Sequence, residues 1–374
     1  MLKICPMPTA SMAALPLTLA QRKLLDTYHF DAESFLMLKR ELQEGRFPAE
    51  RNEAHEQLTP PALTDFVPWP GPISSERMAL LAEGERAIAE GEVCVAVLNG
   101  GMATRFGGVV KGVVVVEDNK SFLQLKLEHV AKVGAGVPVF LMNSFATHEA
   151  TGKHLQECLG TRAKNVHSVC QSISMRLDPK GELFVDKAGE PSFYAPGHGD
   201  LLRALAHSEA FQTFVKNGGK YVAVSNVDNL AATLSPIVIG AHIRGQKPVT
   251  VEVAPRQAQD AGGAPVRRNG HLEVLEGFRY PKSFDMASLP VFNTNSFVLS
   301  HTAVRDDYPL TWFRADKKVD GAPVVQFERL VGEITAFCPS TYLMVPRQGP
   351  ECRFLPVKSP PDLPNILPWV RAHL

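Results

Sequence analysis

Residues 97–116 read VLNGGMATRFGGVVKGVVVV: an apolar strand, a glycine-rich turn holding one arginine and one lysine, and a second apolar run. Paired glycines at a strand end let backbone amides approach a ligand with no Cβ in the way, and successive N–H groups form a nest for anions. Phosphate suits such a nest, with Arg105 and Lys111 beside it. The dinucleotide fingerprint GxGxxG is absent, and so is the Walker pattern GxxxxGK[ST], because Lys111 is followed by Gly112. A glycine pair also serves as plain turn punctuation, so the surrounding segments must decide.

Outward from the turn, strand-like runs recur: VCVAVL directly before it, then residues 137–144, 220–228, 247–254 and 290–300. Helical spacing falls between several of them, at 121–133, 148–158, 199–217 and 233–244. Strand and helix in alternation imply an α/β fold, a mainly parallel sheet with helices on both faces. In such sheets ligands bind beyond the carboxyl ends of the strands. Residues 18–45 suit one or two amphipathic helices, and the proline-rich TPPALTDFVPWPGP at 59–72 reads as an extended linker packed on a neighbour, since Phe66 and Trp69 are poor residues for a free tether. Ser74 suits the N-cap of a helix that ends near Gly91. The expected organisation is an N-terminal helical segment and linker over 1–75, followed by a catalytic domain over 76–374.

Composition narrows the function. A chain of 374 residues that is 45% apolar buries a sizeable core. With 39 basic and 39 acidic residues, no global field draws it to nucleic acid or to an anionic membrane. No segment reaches the roughly 20 apolar residues of a membrane span, and prolines at 6, 8 and 16 interrupt the start, against a signal peptide. The six cysteines are scattered, with no CxxC pair, which fits a reduced cytoplasm.

Eight segments stand out: LNGGMATRFGGVVKG (98–112), PVFLMNSFATHEAT (138–151), which reads as scaffold, QSISMR (171–176), FYAPGHGDLLRAL (193–205), YVAVSNVDNLAAT (221–233), HLEVLEGF (271–278), PVFNTNS (290–296) and CRFLPVKSPPDL (352–363). Together they resemble the UTP-glucose-1-phosphate uridylyltransferase family, whose corresponding elements include LNGGLGT, WYPPGHGD, SNIDNLGAT, FNTNN and RFLPVK. The loop departs from the family at two places: Ala103 replaces a glycine and Val110 a proline, with one residue apparently missing before Lys111.

The resemblance implies a Rossmann-like, mixed but mainly parallel twisted sheet of the nucleotide-diphospho-sugar transferase type, in a short form lacking the family's C-terminal β-helix. It implies that Leu98, Asn99, Gly100 and Gly101 lie on the nucleotide, that Gln171 reads uracil with its carboxamide, and that Gly197 contacts the uracil edge. It makes Lys111 a phosphate ligand, Arg105 a pyrophosphate stabiliser and Lys358 the holder of the sugar phosphate or leaving group. His198, Asn226, Glu276, Asn293 and Asn295 become candidate hexose ligands, and Asp228 the ligand of a magnesium ion. Asp200 reads as the N-cap of the helix that follows it, and Asn143 as a satisfied loop residue.

The implied reaction is uridylyl transfer from UTP to glucose 1-phosphate, with these small molecules as partners and no indication of oligomeric state. Alternatives are a pyrophosphorylase for another UDP-sugar or UDP-N-acetylhexosamine, and a non-catalytic UDP-sugar-binding protein. The GHGD and FNTN segments favour glucose 1-phosphate over the N-acetylhexosamine substrate.

Overall fold

The computed structural model describes residues 15–260 and 262–374. Its centre is an eight-stranded sheet whose strands, in chain order, are β1 (Val67–Pro68), β2 (Val93–Leu98), β3 (Val139–Asn143), β4 (Val166–Cys170), β5 (Tyr221–Asn226), β6 (Val249–Pro255), β7 (Val291–Ser300) and β8 (Ser340–Met344). The spatial order is β1-β8-β6-β7-β5-β2-β3-β4. Five of the seven pairings are parallel; β7 runs antiparallel to both neighbours, β5 and β6. The sheet is thus mixed and mainly parallel. Every residue of β2 and β3 is buried, the pattern of a strand covered on both faces, and this makes them uninterrupted apolar runs in the sequence.

One face of the sheet is covered by α3 (Ser75–Ala89), α4 (Phe122–Val133), α8 (Pro236–Gly245) and α9 (Leu363–His373), with Leu80, Leu123, Leu127, Ile237 and Val370 in a shared core. The other face carries α6 (Leu201–Ala206) and α7 (Glu209–Lys216), which seat Leu201, Leu205, Phe211 and Phe214 against Ala96, Phe140 and Val222. The single helix expected over 199–217 is two, because Ser208 breaks it and caps the second by accepting from the Phe211 amide. The second apolar run after the glycine turn shortens to a single 3-10 turn and the three-residue strand Val115–Glu117.

The helical spacing over 18–45 resolves into α1 (Leu19–Thr27), with a Thr18–Gln21 capping box, and α2 (Ala32–Gln43), capped by Asp31. Leu25, Phe30, Phe35, Leu38 and Leu42 pack on Ile173, Met175, Val325 and Phe327. The Tyr28 carbonyl accepts from the Ile173 amide at 3.0 Å, so these helices brace the segment that starts at Gln171. α5 (His148–Cys158) completes the β3–β4 crossover. Phe66, in the proline-rich stretch, is buried with its ring 6.5 Å from that of Tyr342.

Candidate functional site

β2 and β5 lie side by side and parallel, Leu98 opposite Asn226, so both strands deliver their following turns to the same rim. A cleft of ≈ 390 Å³ opens there. Leu98, Gly100, Gly101, Lys111, Gln171, Gly197, His198, Asn226 and Asp228 all line it, from five separate stretches of sequence. Met142, Ala195 and Val227, from within the same segments, line it as well, as does Glu328, which lies outside all of them.

Gly100 faces Gln171 closely: a Cβ built on it would stand 1.8 Å from Nε2 of that glutamine. Gln171 is 5% exposed, and its Oε1 is buried with no hydrogen-bond partner among the described residues. A buried carboxamide oxygen without a donor costs free energy until a ligand supplies one. Asn99, by contrast, turns its side chain away from the cleft and under the loop, where Nδ2 donates to Asn143 Oδ1 at 2.7 Å and Thr151 Oγ1 at 2.9 Å. Asn143 in turn donates to Ser168 at 2.7 Å. The two asparagines tie β2, β3 and β4 together below the glycines.

Gly197 takes φ +99, a conformation that L side chains rarely adopt, and its Cα faces the Arg329 carbonyl too closely for a Cβ. The tight turn aims His198 into the cleft. Its Nδ1 accepts from the Val331 amide at 3.1 Å, which leaves Nε2 to carry the proton, and burial pulls its pKa down to about 4. The imidazole is therefore a neutral donor at physiological pH. Asp200 does not cap α6: Oδ2 accepts from the Ser172 amide at 2.8 Å and Oδ1 pairs with Arg329, whose guanidinium lies 4.2 Å from the Trp312 ring. A buried carboxylate with an arginine within reach is held there in preference to a solvated cap, and the pair links the Gln171, Gly197 and Glu328 segments.

Lys111 is 7% exposed, donates to the Val357 carbonyl and lies 4.1 Å from the centre of the Phe106 ring. Burial lowers its pKa, with Asp228 and Asp362 pulling the other way and Arg105 adding to the fall. Asp228 has its pKa raised by burial, against Lys111, Lys126 and Lys358. The stretch before Lys358 is stitched to the Asp228 turn, which brings the charge of Lys358 to bear on that carboxylate. The Val357 amide donates to the Asp228 carbonyl at 3.0 Å, and Asn229 bonds the Arg353 carbonyl and the Leu355 amide at 3.1 and 2.9 Å. Arg105 and Lys358 are exposed and outside the cleft's lining.

Of the expected hexose ligands, His198 and Asn226 line the cleft, whereas Glu276, Asn293 and Asn295 stand outside its lining and join it through neighbours. Asn295 donates to Asn226 Oδ1 at 3.0 Å, and its own amide donates to Asn293 Oδ1 at 3.0 Å. Glu276 and Asn293 both lie beside Gly332, the residue after Val331. Burial lifts Glu276 to about 6, and no hydrogen bond to its carboxylate occurs among the described residues.

Among the described residues no group of three or more His, Cys, Asp and Glu side chains is placed to hold a metal. Asp228 stands alone, with no hydrogen bond from another residue to its carboxylate among those described. One carboxylate facing the cleft fits magnesium, which takes one or two carboxylates together with substrate phosphates and water.

This sheet with its rim cleft is the architecture of the nucleotidyltransferase-type pyrophosphorylases. UDP-N-acetylglucosamine pyrophosphorylase of Trypanosoma brucei matches over 94% of this chain and 80% of its own, with TM-score 0.76 at 21% identity. UDP-glucose phosphorylase of the same organism matches over 89% and 73%, with TM-score 0.71 at 25% identity. In sequence, the UTP-glucose-1-phosphate uridylyltransferase family model matches residues 73–367, and the enzyme of that name from Musa acuminata is 30% identical over 73% of this chain and 62% of its own length. The chain belongs to the UTP-glucose-1-phosphate uridylyltransferase family. It spans about three fifths of the length of the curated relatives it matches.

Proposed function

We propose that the protein is a nucleotidyltransferase that moves a uridylyl group from UTP to glucose 1-phosphate, giving UDP-glucose and pyrophosphate. The observation that carries this reading is the convergence of nine motif residues on one cleft. A phosphate oxygen of the sugar phosphate attacks the α-phosphorus of UTP in line, and the bond to the pyrophosphate oxygen breaks. No protein nucleophile is needed. The chain's task is to hold two polyanions together and offset their repulsion.

The parts follow from the lining of the cleft and from the family resemblance. The unpartnered Oε1 of Gln171 accepts from uracil N3–H, and Gly197 allows the backbone to approach the base edge. Leu98, Gly100 and Gly101 bring the loop backbone to the nucleotide, while Asn99 holds that loop from beneath. Lys111, in the lining, faces the phosphates; Arg105 and Lys358, exposed and outside the lining, take the pyrophosphate and sugar-phosphate roles that the family resemblance gives them. His198 offers Nε2–H to the sugar, and Glu276, Asn226, Asn293 and Asn295 its hydroxyl ligands. Asp228 would hold a magnesium ion, which supplies charge neutralisation on the phosphates when bound.

No described helix is long and apolar enough to cross a membrane, and the five described cysteines are free, in keeping with a cytoplasmic enzyme of carbohydrate metabolism. The test is pyrophosphate release from UTP with a panel of sugar 1-phosphates. Turnover with glucose 1-phosphate above all others is the expected result. Turnover with N-acetylglucosamine 1-phosphate instead transfers the reading to the second hexose class, and binding of UDP-glucose with no pyrophosphate release from any sugar refutes transfer.

A further inference from the structure

Beneath the Asp228 turn lies an ammonium group that none of the motifs contains. Lys126 sits in the middle of α4 and is 6% exposed. Its Nζ donates to Ser225 Oγ and to the Ala232 carbonyl, each at 3.0 Å. Those acceptors lie on opposite limbs of one turn: Ser225 directly precedes Asn226, and Ala232 follows Asp228 by four residues. The hydrogen bonds within the turn are long, 3.3 Å from the Asn229 amide to the Asn226 carbonyl and 3.3 Å from the Ala232 amide to the Asn229 carbonyl. The turn is held mainly from outside.

The neighbours of Lys126 on α4, Leu123, Leu127 and Val130, are buried apolar residues. A leucine or methionine at 126 would suit that face without the cost of desolvating a charge. The charge is expensive there: burial pulls its pKa down to about 7, with Asp228 and Glu252 favouring the ammonium and Arg353 opposing it. Glu252 is itself engaged by Arg353, and among the described residues no carboxylate forms an ion pair with Lys126. What the ammonium does touch is the turn.

We propose that Lys126 is a positioning residue of the cleft, pinning both limbs of the 226–232 turn and so fixing where Asn226 and Asp228 stand. Asn229 and the 353–357 stretch hold the turn from the side; Lys126 holds it from below. The consequence for turnover rests on the reading of the cleft given above; the consequence for the turn does not.

Two variants test this. Lys126→Met keeps the length of the side chain and removes its donors; Ser225→Ala removes one acceptor and spares the lysine. In the ligand-free protein, amide hydrogen exchange over 226–233 is expected to rise about tenfold or more in Lys126→Met, and by less in Ser225→Ala, with β2 and β3 unchanged. Turnover should fall in the same order, while thermal unfolding shows both variants folded. Unchanged exchange at the turn overturns the proposal. Faster exchange throughout β2 and β3 also overturns it, since that assigns Lys126 to general stability. If Lys126→Met does not fold, the exchange of Ser225→Ala decides alone. A wild-type protein without transferase activity sinks the functional reading and leaves the exchange measurement as the judge of Lys126.

Discussion

Gly100→Ala acts on the site through a single atom. The new Cβ would lie 1.8 Å from Nε2 of Gln171, 3.1 Å from its Cδ and 3.5 Å from the Ser144 amide nitrogen. Only the far end of a flexible side chain is in the way, so the backbone stays and the carboxamide swings aside by about 1.5 Å to reach ordinary contact. Such a shift carries the amide beyond hydrogen-bond range of a base it had faced at about 2.9 Å. Losing one or two neutral hydrogen bonds at ~0.5–1.5 kcal/mol each, or the larger cost of leaving one group buried and unpaired, gives ~1–3 kcal/mol. The expected result is a KM for UTP raised about fivefold to hundredfold, with little change in KM for the sugar phosphate and an unchanged melting temperature. A double-mutant cycle sharpens the test, because contacting residues couple and distant ones add. Once Gln171→Ala removes the obstructing group, adding Gly100→Ala should cost almost nothing more. Strictly additive effects of the two substitutions, or a Gly100→Ala protein with native KM for UTP, would refute the argument that Gly100 exists to seat Gln171.

Other outcomes follow from the same site. Lys111→Ala and Lys358→Ala should each lower turnover about a hundredfold or more, the usual cost of one preorganised charge-stabilising donor, with circular dichroism showing the fold intact. Asp228→Ala should abolish the dependence of rate on magnesium, seen by titrating the metal against activity. His198 and His242 are both held near a pKa of about 4 by burial, below the ~6.5 of an unfolded histidine. The unfolded chain therefore binds more protons between those values, and stability should fall as pH drops from about 6.5 toward 4, by up to ~3 kcal/mol for each residue. Urea unfolding at pH 7 and pH 5 measures this, and His242→Gln should flatten the slope without touching catalysis.

The strands that build the cleft were readable in the sequence because parallel, doubly covered strands must be continuous apolar runs, and VCVAVL and VFLMN are such runs. The β4 edge strand, VHSVC, is only partly buried and mixes polar with apolar residues, so nothing in its spacing marked it. The hairpin Phe313–Val319 with Ala322–Glu328 escaped for a like reason: its first arm, FRADKKV, is largely solvent-facing, yet its second ends in Glu328 at the cleft. Local pattern also misled at Asp200. A carboxylate before a helix reads as a cap, and the partner that claims it, Arg329, is 129 residues away. Lys126 was invisible for the opposite reason, since lysine is ordinary on an amphipathic helix and only packing reveals which face it occupies.

The backbone and side-chain stitches between residues 228–229 and 353–357 set the timing of assembly as well as the shape of the rim. Ribosomes extend a chain at roughly 5–20 residues per second, so the glycine turn is made tens of seconds before the tail that supplies Lys358. Until that tail docks, Lys111 lacks its Val357 acceptor and the Asp228 turn its lateral support. A nascent chain can therefore form its inner strands early and still be inert, with competence arriving only as the closing segment joins them.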